Sequence, residues 1–169
     1  MSTELSKYSD YLEYRDGNLY WKVDRGSQKC KGQKAGTLTS SGYLRVRIRE
    51  LGKSFLVHRV IFFMHHGYFP EFIDHINCNK LDNRIENLRA ATKSQNLMNK
   101  EKQKNNTTGF KNVHWMKRNK KWAVILSLNK KKKYFGLYED LELAELVAVM
   151  AREKYHGAFA NHGAELCRL

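Results

Sequence analysis

The sequence has no long apolar run and no paired cysteines. No stretch approaches the roughly 18 apolar residues of a membrane-spanning helix, and no signal peptide is recognisable, so we expect a soluble, cytoplasmic protein. The three cysteines, Cys30, Cys78 and Cys167, lie far apart and form no Cys-x-x-Cys pair. This spacing argues against a zinc ribbon or a disulfide framework, and we expect reduced thiols.

Acidic residues are absent from Lys102 to Tyr138, a segment that contains eleven lysines and arginines. The whole chain has a formal net charge of +14 at pH 7. A merely solvated surface usually mixes charges of both signs, so this segment favours a polyanionic partner, and nucleic acid above all. We expect neither a membrane partner nor a small-molecule cofactor.

The chain of 169 residues is long enough for one ordinary domain or two very small ones. Its first third predicts short strands, including residues 18–23 and a hairpin over residues 37–49. Arg45, Arg47 and Arg49 alternate with apolar residues and therefore share one face of the second arm. A solvated strand face and a DNA-contacting face are equally compatible with this alternation.

Apolar residues at helical spacing predict a short helix from Val57 to His66, ended by Gly67. We expect this helix to pack over the element that follows it. For His58, which lies near its start, a structural role is favoured over a catalytic one.

The next segment predicts a strand, a loop, a second strand and a helix. Residues 73–76 have the pattern of a strand end, residues 77–87 form a polar loop, and residues 88–91 return as a strand. Thr92 begins a capping-box pattern and predicts a helix that carries Asn96 in its first turn. In such a unit the end of the first strand and the start of the helix can come together.

Asp74, His75 and Asn96 supply the groups needed to hydrolyse a phosphodiester with one metal ion. The Asp74 carboxylate and the Asn96 amide oxygen are hard ligands suited to one Mg²⁺ ion, with Mn²⁺ as a substitute. His75 can take a proton from an attacking water near neutral pH. We expect Asn87, or a backbone carbonyl that it positions, to fix the tautomer of the His75 ring. For Asn79 and Asn83 we expect a role in structuring the loop.

Residues 74–89 resemble the HNH nuclease motif. Together with residues 57–60 they look like the group found in phage-borne homing endonucleases. The resemblance implies a ββα-metal fold, metal-dependent DNA cleavage, and His75 as general base. It also implies Asn87 as the central asparagine of the motif and two metal ligands, Asp74 and Asn96. Asn96 replaces the final histidine of the name-giving pattern, which favours Mg²⁺ or Mn²⁺ over Zn²⁺.

The last third predicts three strands and one helix. The strands cover residues 110–116, 122–128 and 132–137, with a turn at Asn129–Lys130 between the second and the third. Asp140 is the expected N-cap of a helix that runs to His156 and stops at Gly157. Three alanines on the apolar stripe of this helix would let it lie close to a sheet.

Residues 107–162 resemble the APETALA-two/ethylene-response-factor DNA-binding domain, in segments 108–113, 121–124, 134–138 and 155–161. The resemblance implies a three-stranded antiparallel sheet that enters the major groove, with the helix packed behind it. The groove-facing positions implied by it are Lys111, His114, Met116, Ile125, Ser127, Lys132 and Tyr134. We add Lys117 and Arg118, beside the first turn, as DNA contacts. Met116 and Ile125 depart from the family pattern, so base-edge hydrogen bonds should be fewer. For Trp115 and Trp122, core packing is favoured over base stacking.

These observations predict an α+β protein with an HNH module at residues 1–100 (core 54–100), a linker at 101–108 and a sheet-plus-helix DNA-binding module at 109–169. The predicted function is a monomeric, metal-dependent endonuclease that nicks or breaks double-stranded DNA. The main alternative is a non-enzymatic DNA-binding regulator with a decayed nuclease module. An RNA-binding protein is disfavoured, because the candidate faces carry mostly lysine and aliphatic side chains.

Overall fold

The computed structural model describes residues 8–102, 106–128 and 131–163. These residues form two compact units, which divide between Thr92 and Lys93. This boundary lies before residue 100, the predicted end of the HNH module. The predicted boundaries of the two modules and the linker stay predictions. Part of the expected linker, the expected turn at 129–130 and Cys167 lie outside the described residues. Cys30 and Cys78 are free cysteines.

The first unit contains three small antiparallel sheets and one long helix. The sheets have strand orders β1-β2-β3, β4-β5-β6 and β7-β8. A short helical stretch covers residues 8–11. The elements are β1 (Leu12–Arg15), β2 (Asn18–Trp21), β3 (Lys34–Ala35), β4 (Thr37–Leu38), β5 (Leu44–Ile48), β6 (Lys53–Leu56), α1 (Val57–His66), β7 (Phe72–His75), a 3₁₀ turn (Ile85–Asn87) and β8 (Leu88–Ala91).

Helix α1 forms the centre of the first unit's core. Val57, Val60 and Ile61 are buried, as their helical spacing predicts, and they pack with the buried faces of the surrounding strands. The helix ends as expected at Gly67, whose φ of 76° is left-handed and whose N–H donates to the carbonyl of Phe63. The helix therefore provides a fixed platform beside the strand pair β7–β8.

The turn between β1 and β2 braces the loop that follows β7. Asp16 and Gly17 both have positive φ, 41° and 76°, as a two-residue hairpin turn requires. A Cβ on Gly17 would lie 2.8 Å from the backbone nitrogen of Arg84. The Tyr14 hydroxyl accepts a hydrogen bond from the Ile85 N–H at 3.2 Å. The amino-terminal hairpin thus fixes the far end of this loop.

The second unit is a three-stranded antiparallel sheet packed on a helix. Its elements are α2 (Lys93–Met98), β9 (Val113–Met116), β10 (Lys121–Leu128), β11 (Lys131–Tyr138), α3 (Leu141–His156) and a 3₁₀ turn (Gly157–Phe159). The strand order is β11-β10-β9. The predicted strands and helix are present, and the Asp140 carboxylate caps α3 by accepting from Leu143 N–H at 2.6 Å.

Small side chains let α3 lie close to the sheet. Ala144, Ala148 and Ala151 are buried against Val124 and Leu126 of β10. Trp115 and Trp122 contact each other across β9 and β10, with ring centroids 4.6 Å apart. Trp122 packs on the core, whereas Trp115 is 45% exposed. The expectation of core packing therefore fits Trp122 better than Trp115.

Among the described residues, no helix has both the length and the apolar character needed to cross a membrane.

Candidate functional site

The strand pair β7–β8 places the predicted catalytic residues at one end of the first unit. The antiparallel register sets Asp74 opposite Arg89 and His75 opposite Leu88. Asp74 and His75 are both buried, with 4% and 5% of their surface exposed. The polar loop at residues 76–84 begins directly after His75. Two buried ionisable residues thus follow one another at the end of one strand, where successive side chains point to opposite faces.

The carboxylate of Asp74 forms an ion pair with Arg89. The Nε and Nη2 atoms of Arg89 lie 2.8 Å and 2.7 Å from the same oxygen, Oδ2 of Asp74. The side chain of Arg89 is 18% exposed and that of Asp74 is 5% exposed. Because the pair is largely withdrawn from water, its attraction is screened far less than that of a surface pair.

Asn83 fixes the orientation of the His75 ring. The Nε2 atom of His75 lies 3.0 Å from Oδ1 of Asn83, which is 1% exposed. An amide oxygen only accepts, so Nε2 carries the proton and donates it to Asn83. The unprotonated ring nitrogen is then Nδ1. The sequence predicts Asn87, or a carbonyl that it positions, in this role and a loop-structuring role for Asn83, whereas the structure brings the oxygen of Asn83 to the ring.

Asn87 braces the loop from within. Its Oδ1 accepts from the backbone N–H of Asn77 at 3.0 Å, and its Nδ2 donates to the carbonyl of Asp82 at 2.7 Å. Nδ2 also donates to Oδ1 of Asn77 at 2.9 Å. Asn79 closes a short turn, since its Oδ1 accepts from the N–H of Leu81 at 3.0 Å. These contacts hold both ends of the loop together.

A cluster of rings surrounds His75. The His58 ring meets it edge to face with centroids 5.0 Å apart, and the Tyr43 ring lies 5.2 Å from His58 and 6.1 Å from His75. Burial lowers the pKa of His58 to about 3, with the neighbouring charge of His75 adding to the effect. Burial also lowers the pKa of His75, although its bond to Asn83 opposes the shift. Both imidazoles are therefore neutral near pH 7.

The hairpin β4–β5 is joined to the loop by Lys80. The Nζ atom of Lys80 donates to the carbonyl of Ser41 at 3.0 Å and lies 4.7 Å from the Tyr43 ring centroid. On the other side of the loop, Arg84 Nε and Nη2 each lie 2.8 Å from the carboxylate of Asp82. The loop is thus held by the two hairpins as well as by its own asparagines.

The donor chemistry near His75 fits a hard cation. In the part of the chain that the structure describes, no three His, Cys, Asp or Glu side chains form a group that could hold a metal ion. A single carboxylate such as Asp74, together with an amide oxygen, leaves most coordination positions to water and phosphate, which suits Mg²⁺. Asn96 lies on α2 in the second unit and is partly exposed. Its assignment as a ligand, and the ββα arrangement, stay predictions.

Six of the predicted DNA contacts lie on one face of the sheet in the second unit. The register pairs Ile125 with Tyr134, Ser127 with Lys132, Ala123 with His114, and Lys121 with Met116. Because alternate residues of a strand share a face, these pairs all lie on the face opposite α3. The exposed members are His114, Met116, Ser127, Lys132 and Tyr134, and Ile125 is half-buried.

Lys111 differs from the other predicted contacts. It precedes β9, and its Nζ donates to the carbonyl of Lys100 at 2.6 Å and lies 3.4 Å from Oδ1 of Asn161. Lys117 and Arg118 are exposed in the turn after β9. In the first unit Arg45 and Arg47 are exposed on β5, while Val46 and Ile48 between and beyond them are buried, as the alternation predicts.

The segment that holds this site matches a known family. Residues 55–98 match the family model described as HNH endonuclease. This range contains Asp74, His75, Asn83, Asn87 and Arg89. Residues 55–98, which begin in the first unit and end with α2, therefore form an HNH endonuclease domain, a class of nuclease domain whose members typically use a divalent metal ion.

A phage relative extends the similarity beyond this domain. The chain is 33% identical over 95 residues to Protein 3.8 of Escherichia phage T7, an alignment that covers 56% of this chain and 75% of that protein. The chain belongs to the same family as Protein 3.8, and residues 55–98 are its HNH endonuclease domain. No solved structure matches the chain.

Proposed function

We propose that this protein is a metal-dependent endonuclease of the homing type that cleaves double-stranded DNA. The observation that carries the proposal is the buried His75, whose tautomer is fixed by Asn83 inside an HNH domain. A general base needs an unprotonated nitrogen in a defined place. The bond from Nε2 to Asn83 supplies that condition at Nδ1.

His75 acts as the base in this proposal. Its Nδ1 atom takes the proton from a water that attacks the scissile phosphorus. The lowered pKa of His75 keeps the imidazole neutral, and so able to accept a proton, near pH 7. Asn83 acts as a positioning residue, and Asn87 keeps the loop in the conformation that presents Asn83.

Asp74 and Asn96 are the proposed metal ligands. When Mg²⁺ or Mn²⁺ is bound, one ion stabilises the charge that develops on the phosphate and on the leaving oxygen. The carboxylate of Asp74 is the only acidic side chain in the β7–β8 pair, and the strand register sets Asp74 opposite Arg89. Hard oxygen donors of this kind favour Mg²⁺ over Zn²⁺.

The outer face of the second unit's sheet is the proposed DNA-docking surface. It presents Lys132 and Tyr134 beside Ile125 and Ser127, and no acidic residue occurs from Lys102 to Tyr138. Such a face can contact phosphates with its lysines and thymine methyl groups with its apolar side chains. The exposed Arg45 and Arg47 of β5 add a second basic surface.

A plasmid-nicking assay tests the proposal. The wild-type protein should convert supercoiled DNA to nicked or linear forms with Mg²⁺ and not with EDTA. His75→Ala should abolish cleavage while binding to the same DNA persists. His66→Ala, at the exposed end of α1, is the matched histidine control and should cleave as wild type. A wild-type protein that binds DNA without ever cutting it would instead support the non-enzymatic regulator.

A further inference from the structure

Arg89 lies where its positive charge faces the carboxylate of Asp74. Two of its N–H groups point to one oxygen of the carboxylate, at 2.8 Å and 2.7 Å, and the two residues are direct cross-strand partners. Both side chains are mostly buried. The strand register places the backbone of Arg89 opposite Asp74, so the position of the guanidinium does not depend on its flexible side chain alone.

We propose that Arg89 acts as a counter-charge that weakens cation binding at Asp74 until a DNA phosphate is present, so that metal and DNA bind cooperatively. This inference rests on the proposed function, because it takes Asp74 as a metal ligand. It gives Arg89 a role, and it predicts that the metal binds the protein–DNA complex more tightly than it binds the protein alone.

Arg89 and a divalent cation compete for the carboxylate of Asp74. A divalent cation near Asp74 would lie close to the positive guanidinium, and like charges repel more strongly in a partly buried setting than in bulk water. A cation bound through Oδ2 would also share an oxygen that already accepts two charge-assisted hydrogen bonds. Asp74 therefore offers less binding free energy to a cation than an unpaired carboxylate would.

A phosphate changes this balance. The planar guanidinium matches phosphate oxygens as well as it matches a carboxylate, so a DNA backbone beside the site offers Arg89 a second anionic partner. The added negative charge also offsets the repulsion between Arg89 and the cation. Thermodynamic linkage then requires that the metal strengthen DNA binding by the same factor that DNA strengthens metal binding.

Arg84 provides a matched control in the same domain. It also donates through Nε and Nη2 to an aspartate, Asp82, at 2.8 Å each. Its side chain is 49% exposed, however, and Asp82 is not a proposed ligand. A substitution at Arg84 removes a similar ion pair without changing the charge around Asp74.

The experiment measures Mn²⁺ affinity of the full-length protein by titration calorimetry and by electron paramagnetic resonance. Arg89→Gln should bind Mn²⁺ in the absence of DNA at least roughly tenfold more tightly than wild type. Arg89→Lys, which keeps the charge, should stay closer to wild type, and Arg84→Gln should not differ from wild type. An Arg89→Gln affinity equal to or weaker than wild type would overturn the inference.

The coupling to DNA is tested without relying on that variant's stability. In a His75→Ala background, which prevents cleavage, Mn²⁺ affinity is measured with and without a short duplex at fixed ionic strength. We expect DNA to tighten Mn²⁺ binding at least tenfold with Arg89 present, and distinctly less with Arg89→Gln. Absence of tightening with Arg89 present, or equal tightening in both proteins, would contradict the counter-charge role. If Arg89→Gln fails to fold, Arg89→Met replaces it. The comparison of Mn²⁺ affinity with and without duplex in the protein that keeps Arg89 tests the coupling in either case.

An Asp74→Asn variant separates this inference from the proposed function. If Asp74→Asn leaves Mn²⁺ affinity unchanged, Asp74 is not a ligand and the proposed metal site is wrong. If Asp74→Asn weakens Mn²⁺ binding while Arg89→Gln does not strengthen it, the metal site stands and the role of Arg89 is wrong.

Discussion

The imidazole rings of His58 and His75 meet edge to face, with centroids 5.0 Å apart. His58 lies on α1 and His75 ends β7, so this contact joins the helix to the strand that carries the proposed base. Both residues are 5% exposed. The sequence favours a structural role for His58, and its packing against His75 is the contact through which that role affects the site.

Removing the His58 ring should loosen the His75 ring. His58→Ala deletes a buried ring, and we expect it to cost about 2 kcal/mol of folding free energy and to lower kcat more than KM. His58→Phe keeps a ring in contact and should retain most of the stability and activity. Urea denaturation and single-turnover cleavage check these expectations. Equal loss of activity in both variants would assign His58 a chemical role beyond packing.

Protonation of His58 should destabilise the first unit at acidic pH. Its folded-state pKa of about 3 lies below the value near 6.5 that an unfolded histidine has. Between these values the unfolded chain binds a proton that the folded chain does not. Stability is therefore complete above about pH 6.5 and falls toward pH 3, by up to about 1.4 kcal/mol per pH unit for this group. The lowered pKa of His75 acts in the same direction.

Urea denaturation between pH 7.5 and pH 5 measures this effect. The His58→Phe variant lacks the titrating group, so its stability should depend less steeply on pH than that of wild type. An identical pH dependence in the two proteins would show that His58 is protonated equally in the folded and unfolded chains.

Loss of Asn83 should impair catalysis without a comparable loss of DNA binding. Asn83→Ala removes the amide oxygen that accepts from Nε2 of His75. We expect Asn83→Ala to lower kcat about tenfold or more, which corresponds to roughly 1.4 kcal/mol and is comparable with the loss of one buried hydrogen bond. Asn79→Ala, in the exposed part of the same loop, is the control. Cleavage rates and DNA affinity are measured on both variants. A normal kcat for Asn83→Ala would exclude the positioning role of Asn83.

The contrast between Asn83 and Asn87 shows what local patterns can predict. The strands and α1 follow from periodicity, because burying Val46 and Ile48, or Val57, Val60 and Ile61, requires it. Which asparagine reaches His75 depends on the path of the loop. That path includes a left-handed Cys78, with φ of 61°, and several side-chain-to-backbone turns. Such turns are local and leave no periodic signal, so they do not reveal which asparagine side chain ends beside His75.

The pairing of Asp74 with Arg89 could not be predicted from the sequence for a different reason, which is the strand register. The sequence predicts two strands around a polar loop, but it does not predict which residues pair across them. A shift of one residue would move Arg89 to the opposite face of β8 and remove the ion pair. The register is fixed by the loop's own hydrogen bonds, such as that from Ile76 N–H to the carbonyl of Asn87 at 2.9 Å.

A substitution in the amino-terminal hairpin should weaken the nuclease domain. Gly17 has a φ of 76°, and a Cβ there would lie 2.8 Å from the backbone nitrogen of Arg84. We expect Gly17→Ala to cost about 2–3 kcal/mol, from backbone strain together with displacement of the loop. Gly26→Ala is the matched control, because its φ is 61° and no atom lies within 4 Å of the added carbon. Urea denaturation of both variants should show Gly17→Ala to be the less stable, and equal stability would mean that the contact with Arg84 is unimportant.

Substitutions on the outer face of the second unit's sheet should weaken DNA binding. Lys132 and Tyr134 are exposed there, beside Ser127 and Ile125. Loss of one phosphate-contacting lysine should reduce the slope of log affinity against log salt concentration by about 1, with similar weakening for all DNA sequences. Tyr134→Ala should change sequence preference more than the salt slope. Lys154→Ala, an exposed lysine on α3, is the charge-matched control, because α3 packs on the opposite face. If Lys154→Ala reduces the salt slope as much as Lys132→Ala does, binding follows net charge, and this face is not the docking surface.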